Sequence, residues 1–239
     1  MNTINLLHSR IFAVIPAAGI GSRMLLNIPK QYLKIQGHTI LEHSVNFFLS
    51  HSNISKIIVV LNKKDVFFNT LPISSHPRVF SVFGGRLRIH SVLSGLLAIS
   101  NADWVIVHDA VRPCLNINDL NKILSLVNTS AIGGILATPV SNTLKYSTNN
   151  SEIFSTINRN RLWNALTPQC FPLKLLTFCL KKVIDSGINI TDESSAMEYC
   201  GYFPKLVQGC SSNIKVTYPE DISFVNCYLK SKFHERSSI

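Results

Sequence analysis

The sequence predicts an α/β protein: a Rossmann-like, doubly wound, mainly parallel sheet with a protruding β-arm. Three observations carry that expectation. Short apolar runs rich in Val and Ile alternate with segments of helical periodicity. The first such run opens directly into a glycine-spaced loop, Ala17-Ala18-Gly19-Ile20-Gly21-Ser22-Arg23-Met24. From about 139 to 160 the alternation stops, giving way to a polar stretch with isolated β-like pieces.

Residues 11–16, 56–61, 79–83, 104–108 and 132–138 read as strands. Each is continuously apolar or rich in Val and Ile, as strands covered on both faces must be. Helices fit between them. Thr39 and Glu42 form a capping box, and Ile40, Leu41, Val45 and Phe48 then share one face. Residues 88–100 and 118–127 give a second and a third helix. A helix over 173–185 ends before Gly187, and Thr191 is expected to cap another that stops at Gly201. Residues 214–217 read as a short strand, and Pro219 suits the first turn of a final helix. The polar stretch SNTLKYSTNNSEIFSTINRN reads as a hairpin arm. Such an arm buries little apolar surface by itself, so it is expected to pack on a second subunit, in a homodimer. The expected organisation is one domain over 1–239 with a dimerisation arm at about 139–160.

Composition narrows the partners. The chain has 239 residues, 46% of them hydrophobic, which allows a substantial core. A formal net charge of +10 favours an anionic partner. The bases are scattered, with no dense Lys/Arg run and no aromatic-interleaved basic stripe, so phosphorylated small molecules are expected rather than nucleic acid. Six cysteines without a CxxC pair argue against a zinc ribbon and for reduced thiols in a cytoplasmic protein. Arg10 followed by IFAVIPAAG has the outline of a secretion signal, but the run is short and Pro16 interrupts it. A buried first strand entering a phosphate loop fits better. No segment approaches the roughly 20 apolar residues of a membrane span.

The loop after the first strand lies where α/β sheets bind ligands, beyond a strand's carboxyl end. It lacks the GxxxxGK(S/T) of a Walker loop and the third glycine of a dinucleotide fingerprint, since position 24 is Met. Pro29-Lys30-Gln31-Tyr32 follows it. Arg23 and Lys30 could place two cations over one triphosphate, where attack at the α-phosphorus builds negative charge. Asp109 directly follows the strand WVIVH, so it could hold a ribose hydroxyl, help bind Mg²⁺, or cap the next turn. Arg112, before Pro113, suits either a phosphate or an acidic partner. Asp192 and Glu193 suit a helix N-terminus.

These pieces resemble a known family. IPAAGIGSRM with PKQY, then GGRLRIHSVLSGL at 84–96, VHDAVRPCL at 107–115 and ATPVSNTLK at 137–145 follow its landmarks in order. RNRLWNALTPQCF at 159–171, TDESSAMEYCG at 191–201 and NIKVTYPEDI at 213–222 complete the series. The resemblance is to the 2-C-methyl-D-erythritol 4-phosphate cytidylyltransferases of isoprenoid precursor biosynthesis. It implies the nucleotide-diphospho-sugar transferase type of fold. It also implies transfer of CMP from CTP to 2-C-methyl-D-erythritol 4-phosphate, with Mg²⁺ as cofactor and pyrophosphate released.

The resemblance further implies roles at matching positions. Arg23 and Lys30 match the pair that stabilises the pentacoordinate α-phosphate. Ala17, Ala18 and Gly19 match the loop around the nucleotide, and Gly85 and Ser91 match positions near the cytosine. Asp109, Ala110 and Arg112 match a segment beside sugar and substrate. Thr143, Arg159, Thr167 and Lys215 match residues that hold methylerythritol phosphate, with Arg159 and Lys215 aiming its phosphate. Thr143 and Arg159 lie on the arm, which in the family serves the neighbouring subunit's site. The chain departs from the family at Arg86 and His90, where acidic or small polar residues are expected. Two other readings share these features: a ribitol 5-phosphate cytidylyltransferase and a non-catalytic nucleotide-binding protein. The TDESSA and ALTPQ segments favour methylerythritol phosphate over ribitol phosphate, and retention of Arg23, Lys30, Arg159 and Lys215 argues for catalysis.

Overall fold

The computed structural model describes residues 9–19 and 28–237, with side chains through Ser231. Strand β1, Ile11–Pro16, is buried along nearly its whole length. Lys34–Ile35 (β2) and His38–Thr39 (β3) form a minute antiparallel hairpin. It leads into helix α1, Ile40–Leu49, capped by the expected Thr39/Glu42 box. Strand β4, Ile54–Leu61, starts two residues earlier than its apolar run suggested. Strand β5, Val79–Phe83, helix α2, Arg88–Leu97, and strand β6, Trp104–Val107, follow in the expected order. The third predicted helix divides at Ser125 into α3, Ile117–Leu124, and the single turn α4, Leu126–Thr129. Strand β7, Gly134–Pro139, then reaches the arm, an isolated antiparallel hairpin of β8, Leu144–Ser147, and β9, Ile153–Ile157.

Past the arm, β10, Trp163–Pro172, returns into the main sheet antiparallel to both of its neighbours. Helix α5, Leu173–Asp185, α6, Glu193–Tyr199, strand β11, Lys205–Gln208, and α7, Glu220–Ser237, complete the chain. The seven-stranded sheet runs β11-β7-β10-β6-β1-β4-β5, parallel except at β10.

Both faces of this sheet are covered, and strand periodicity divides the core. From β1, Ile11, Ala13 and Ile15 enter the core with Leu41 and Phe48 of α1 and Ile123 of α3. Phe12 and Val14 enter the opposite one with Val92 of α2, Leu180 of α5 and Met197 of α6. Alternate side chains on a buried strand feed alternate layers, which is why the run IFAVI has no polar position.

Three sequence expectations change. Residues 214–217 form no strand; the segment is held instead by single bonds such as Val216 N–H to the Val111 carbonyl, 2.9 Å. Helix α6 is capped by Asp192, whose carboxylate accepts the Ser195 amide at 3.0 Å, while Thr191 contributes only a hydroxyl contact with Ser195. Strands β10 and β11 were not expected. The Asn, Gln and two prolines of WNALTPQCFP hide the first, and the second is a short, half-exposed edge strand. The glycines placed after helices hold: Gly187 and Gly201 have φ of +66° and +83°, where a side chain would be strained.

Candidate active site

The loops after β1, β5 and β6 leave the same edge of the sheet and enclose a cleft of about 370 Å³. Ala17, Ala18 and Gly19 form one wall, Gly85 to Arg88 with Ser91 another, and Asp109 to Val111 the floor. Lys30, Gln31 and Lys215 close the rim.

The first wall is built by turning carbonyls away. Gln31, buried in the 3₁₀ turn Lys30–Tyr32, donates its amide to the carbonyls of Ala17 at 2.8 Å and Gly19 at 3.1 Å. Asn62, just past β4, donates to the carbonyl between them, Ala18, at 3.2 Å. Three consecutive carbonyls are thus occupied, and the amides of Ala18 and Gly19 accept no such duty among the described residues. Such an arrangement of free N–H groups is a ready anion cradle. The turn carrying Gln31 is itself fixed, because the Tyr32 hydroxyl donates to Asp65 at 2.6 Å. Lys30 Nζ donates to the Val216 carbonyl at 2.7 Å, which puts its charge at the rim beside Lys215.

The second wall needs its glycines. A Cβ on Gly85 would stand 2.4 Å from His90 Cβ, so the loop can lie on α2 only without one. Ser91 is buried against this loop, its hydroxyl donating to the Leu87 carbonyl at 3.2 Å. Of the two departures noted in the sequence, His90 accepts the Leu87 amide at 3.4 Å, and Arg86 stands exposed on the cleft wall.

The floor is a charge cluster. Asp109 Oδ2 lies 3.0 Å from Lys215 and 3.2 Å from Arg112, and Oδ1 lies 3.2 Å from Arg88. Burial alone would push this carboxyl up, but Arg88, Lys215 and Arg112 together hold it far below the usual carboxylate range. Arg88 is gripped from behind by Glu193, with bonds of 2.5 and 3.1 Å, and Glu193 is 1% exposed. Burial works against the Arg88 charge, and Glu193 with Asp109 reverse the effect and raise its pKa. Glu193 therefore does more than the helix-dipole role the sequence suggested: it is the buried counter-ion of a cleft arginine. Arg112 pairs with Asp109 and donates to the Asn213 carbonyl at 2.8 Å, below the floor rather than in the cleft.

The structure gathers Ala17, Ala18, Gly19, Lys30, Gly85, Ser91, Asp109, Ala110 and Lys215 around one cleft. Thr167 is buried under the floor, bonded to the Asp109 amide at 3.1 Å. Thr143 and Arg159 stand exposed on the arm, Arg159 bonded to the Ser141 carbonyl, and neither lines this cleft. Arg23 lies outside the described residues. The sequence gives Gln31, Asn62, Arg88 and His108 no specific role of their own. Gln31, Arg88 and His108 carried a signal, as members of the PKQY, GGRLRIHSV and VHDAVRPCL landmarks, and Asn62 carried none.

Mg²⁺ was expected here, with Asp109 as a candidate ligand. The donor set does not fit. Both Asp109 oxygens are taken up by cations, and among the described residues no group of three His, Cys, Asp or Glu side chains could hold a metal.

Comparisons with known proteins agree on one family. A family described as 2-C-methyl-D-erythritol 4-phosphate cytidylyltransferase matches residues 11–231. The Buchnera aphidicola (subsp. Schizaphis graminum) protein of that name is 56% identical over 231 residues, 96% of this chain and 98% of the relative. The Yersinia pseudotuberculosis protein of that name is 49% identical over 93% of this chain and 92% of its own. A crystal structure of the Francisella tularensis 2-C-methyl-D-erythritol 4-phosphate cytidylyltransferase superposes with a TM-score of 0.81 at 34% identity, covering 92% of this chain and all of that one.

Proposed function

Because the chain belongs to the 2-C-methyl-D-erythritol 4-phosphate cytidylyltransferase family, we propose that its cleft transfers CMP from CTP to 2-C-methyl-D-erythritol 4-phosphate. The products are 4-diphosphocytidyl-2-C-methyl-D-erythritol and pyrophosphate, and the chemistry is that of a nucleotidyltransferase of isoprenoid precursor biosynthesis.

The observation that carries this reading is the coincidence of an amide cradle and a set of cations in one cleft at the carboxyl ends of parallel strands. CTP's phosphates occupy the cradle of Ala18 and Gly19, and its cytosine lies toward Gly85 and Ser91. An oxygen of the acceptor phosphate attacks the α-phosphorus. The bond from that phosphorus to the α–β bridging oxygen breaks, and its electron pair leaves with pyrophosphate. A phosphate oxygen is already a competent nucleophile, so no general base is required. Catalysis is positioning plus neutralisation of charge on the phosphoryl oxygens. Lys30, with Arg23, supplies that neutralisation. Lys215, held by Asp109 in the free protein, turns to the acceptor phosphate.

The whole chain, 1–239, serves as one cytidylyltransferase domain, with the arm at about 139–160 reaching a second copy. Tyr146, Ile153 and Phe154 are 60%, 67% and 71% exposed on that arm, apolar surface that a homodimer would cover. Thr143 and Arg159 would then complete the partner's acceptor subsite. Mg²⁺ belongs in this reading to the phosphates of CTP rather than to a protein ligand set, and none of the steps above passes through it. Cytoplasmic residence is consistent with free thiols at Cys114, Cys170 and Cys179 and with no described helix long and apolar enough to cross a membrane.

The test is pyrophosphate release by purified protein with Mg²⁺, each of the four nucleoside triphosphates, and either methylerythritol phosphate or ribitol phosphate. Release confined to CTP with methylerythritol phosphate is expected. Release with ribitol phosphate instead would move the acceptor, and no release from folded protein would leave only nucleotide binding.

A further inference from the structure

Under the cleft floor runs a chain of hydrogen bonds that starts on a fully buried side chain, His108, and ends on Asp109. His108 Nε2 lies 3.0 Å from the Arg112 carbonyl, which can only accept, so Nε2 carries the proton. Nδ1 lies 3.0 Å from Thr167 Oγ1. The Asp109 amide donates to that same Oγ1 at 3.1 Å. Oγ1 therefore receives the amide hydrogen and directs its own hydrogen at Nδ1. A doubly protonated ring would present a second donor to Oγ1 and leave the hydroxyl hydrogen without an acceptor, in a residue 4% exposed. The Thr167 carbonyl, the other acceptor near the ring, already holds the Asn213 amide at 2.7 Å, which leaves Nδ1 to the hydroxyl. The edge-on contact of the ring with Phe48, 5.2 Å between centroids, fixes its plane.

We propose that His108 is a positioning residue that acts through Thr167 on Asp109. By accepting the Thr167 hydroxyl it orients Oγ1 to hold the Asp109 amide, and so sets the carboxylate that gathers Lys215, Arg112 and Arg88. A second link runs the other way round: the Nε2 proton holds the Arg112 carbonyl while the Arg112 guanidinium holds the Asp109 carboxylate at 3.2 Å. The turn from 108 to 112 is closed by side chains at both ends. Burial pushes His108 down to about 4, with the charges of Asp109 and Arg112 as its ionised neighbours, so the accepting form persists through the neutral range. The proposal rests on the reading of Lys215 as the cation of the acceptor phosphate.

Two measurements test it. Nitrogen-15 NMR of the His108 ring in the wild-type protein reads the tautomer directly. The proton is expected on Nε2 and the accepting nitrogen at Nδ1; the opposite tautomer would overturn the proposal. Steady-state kinetics then compare His108→Phe, Thr167→Val, the double variant and His108→Asn, whose amide oxygen can stand where Nδ1 stood. His108→Phe is expected to lower kcat about tenfold, the scale of one lost hydrogen bond, with KM for CTP little changed. The double variant should be no slower than Thr167→Val, and His108→Asn should recover much of the loss. Additive losses, or a wild-type kcat in His108→Phe, would sink the idea. If the wild-type protein releases no pyrophosphate from CTP and methylerythritol phosphate, the functional reading fails, while the NMR arm still decides whether the relay exists.

Discussion

Lys215 Nζ lies 3.0 Å from Asp109 Oδ2, so a cation read as serving the acceptor phosphate is stored on a carboxylate of the cleft floor. Arg112 and Arg88 share that carboxylate, which is 8% exposed in its side chain. Asp109→Asn would leave Lys215 and Arg112 facing a neutral amide, while Arg88 keeps Glu193. Breaking a fully buried ion pair from one side costs about 3–5 kcal/mol, and because Lys215 is 39% exposed and screened by solvent, a loss below that figure is expected in chemical denaturation. Acceptor KM should rise more than CTP KM, because Lys215 loses the group that positions it.

Lys30→Ala should leave the fold intact and slow turnover by about 10²–10³, the usual scale for removing one positioned electrostatic donor. Circular dichroism and pyrophosphate release, measured on the same preparation, check both halves. Turnover like that of wild type would remove Lys30 from the mechanism.

Gln31→Glu would set a carboxylate against the carbonyls of Ala17 and Gly19 that the amide now binds. The cradle wall should loosen, raising KM for CTP by about tenfold or more, given roughly 1 kcal/mol for each lost hydrogen bond. KM for the acceptor is expected to change little. Isothermal titration with CTP alone separates this from any effect on chemistry.

His108 lowers stability on mild acidification, while Glu193, raised by burial, contributes with the opposite sign, so the comparison with His108→Phe isolates the histidine. Its folded pKa, about 4, lies below the ordinary value of 6.5, so between those pH values the unfolded chain binds a proton that the folded chain refuses. The His108 contribution therefore drops as pH falls through that window, by about 3 kcal/mol, and levels off below it. His43, lowered by burial, adds a smaller slope in the same direction. Asp109 works in a different range: its folded pKa is depressed, so its stabilisation is full above the unfolded value, about 3.9, and is lost only below it. Urea midpoints across pH 4–7 should show the slope in wild type, and His108→Phe should shrink it.

Mixing inactive chains tests the arm. Lys30→Ala and Arg159→Ala disable sites from different elements, so a mixed dimer joined through the arm carries one site with neither change. Roughly a quarter of wild-type activity is expected from an equal, fully exchanged mixture, if half of the dimers are mixed. No recovery, with exchange confirmed by native mass spectrometry, would confine Arg159 to its own subunit.

What could be read from the sequence was local. The run IFAVI and the Thr39/Glu42 box each specify their own structure from neighbours in the chain, and each formed where expected. The elements that escaped depend on distant partners. Strand β10 has its register set by β6 and β7, from residues that read as a loop. Thr191 and Asp192 are both good caps, and the choice went to Asp192, which Gln169 of β10 also binds at 2.8 Å. Glu193 reads as a helix-end acid until α2 brings Arg88 to it, 105 positions away in sequence. Gln31, Asn62 and His108 are polar groups whose partners are carbonyls or a hydroxyl of other segments, and side-chain pattern alone carries no trace of such bonds.

The arm leaves the sheet from the end of β7 and re-enters at the start of β10, strands that are neighbours, antiparallel and closed at the neck by the Val140 amide and the Leu162 carbonyl at 3.0 Å. An insertion with such a root is modular. Cross-strand pairs can be added to its tip or removed from it without shifting the register of the seven strands below. The reach of the arm can therefore be retuned by evolution or by design while the cleft, which hangs on β1, β5 and β6, keeps its dimensions.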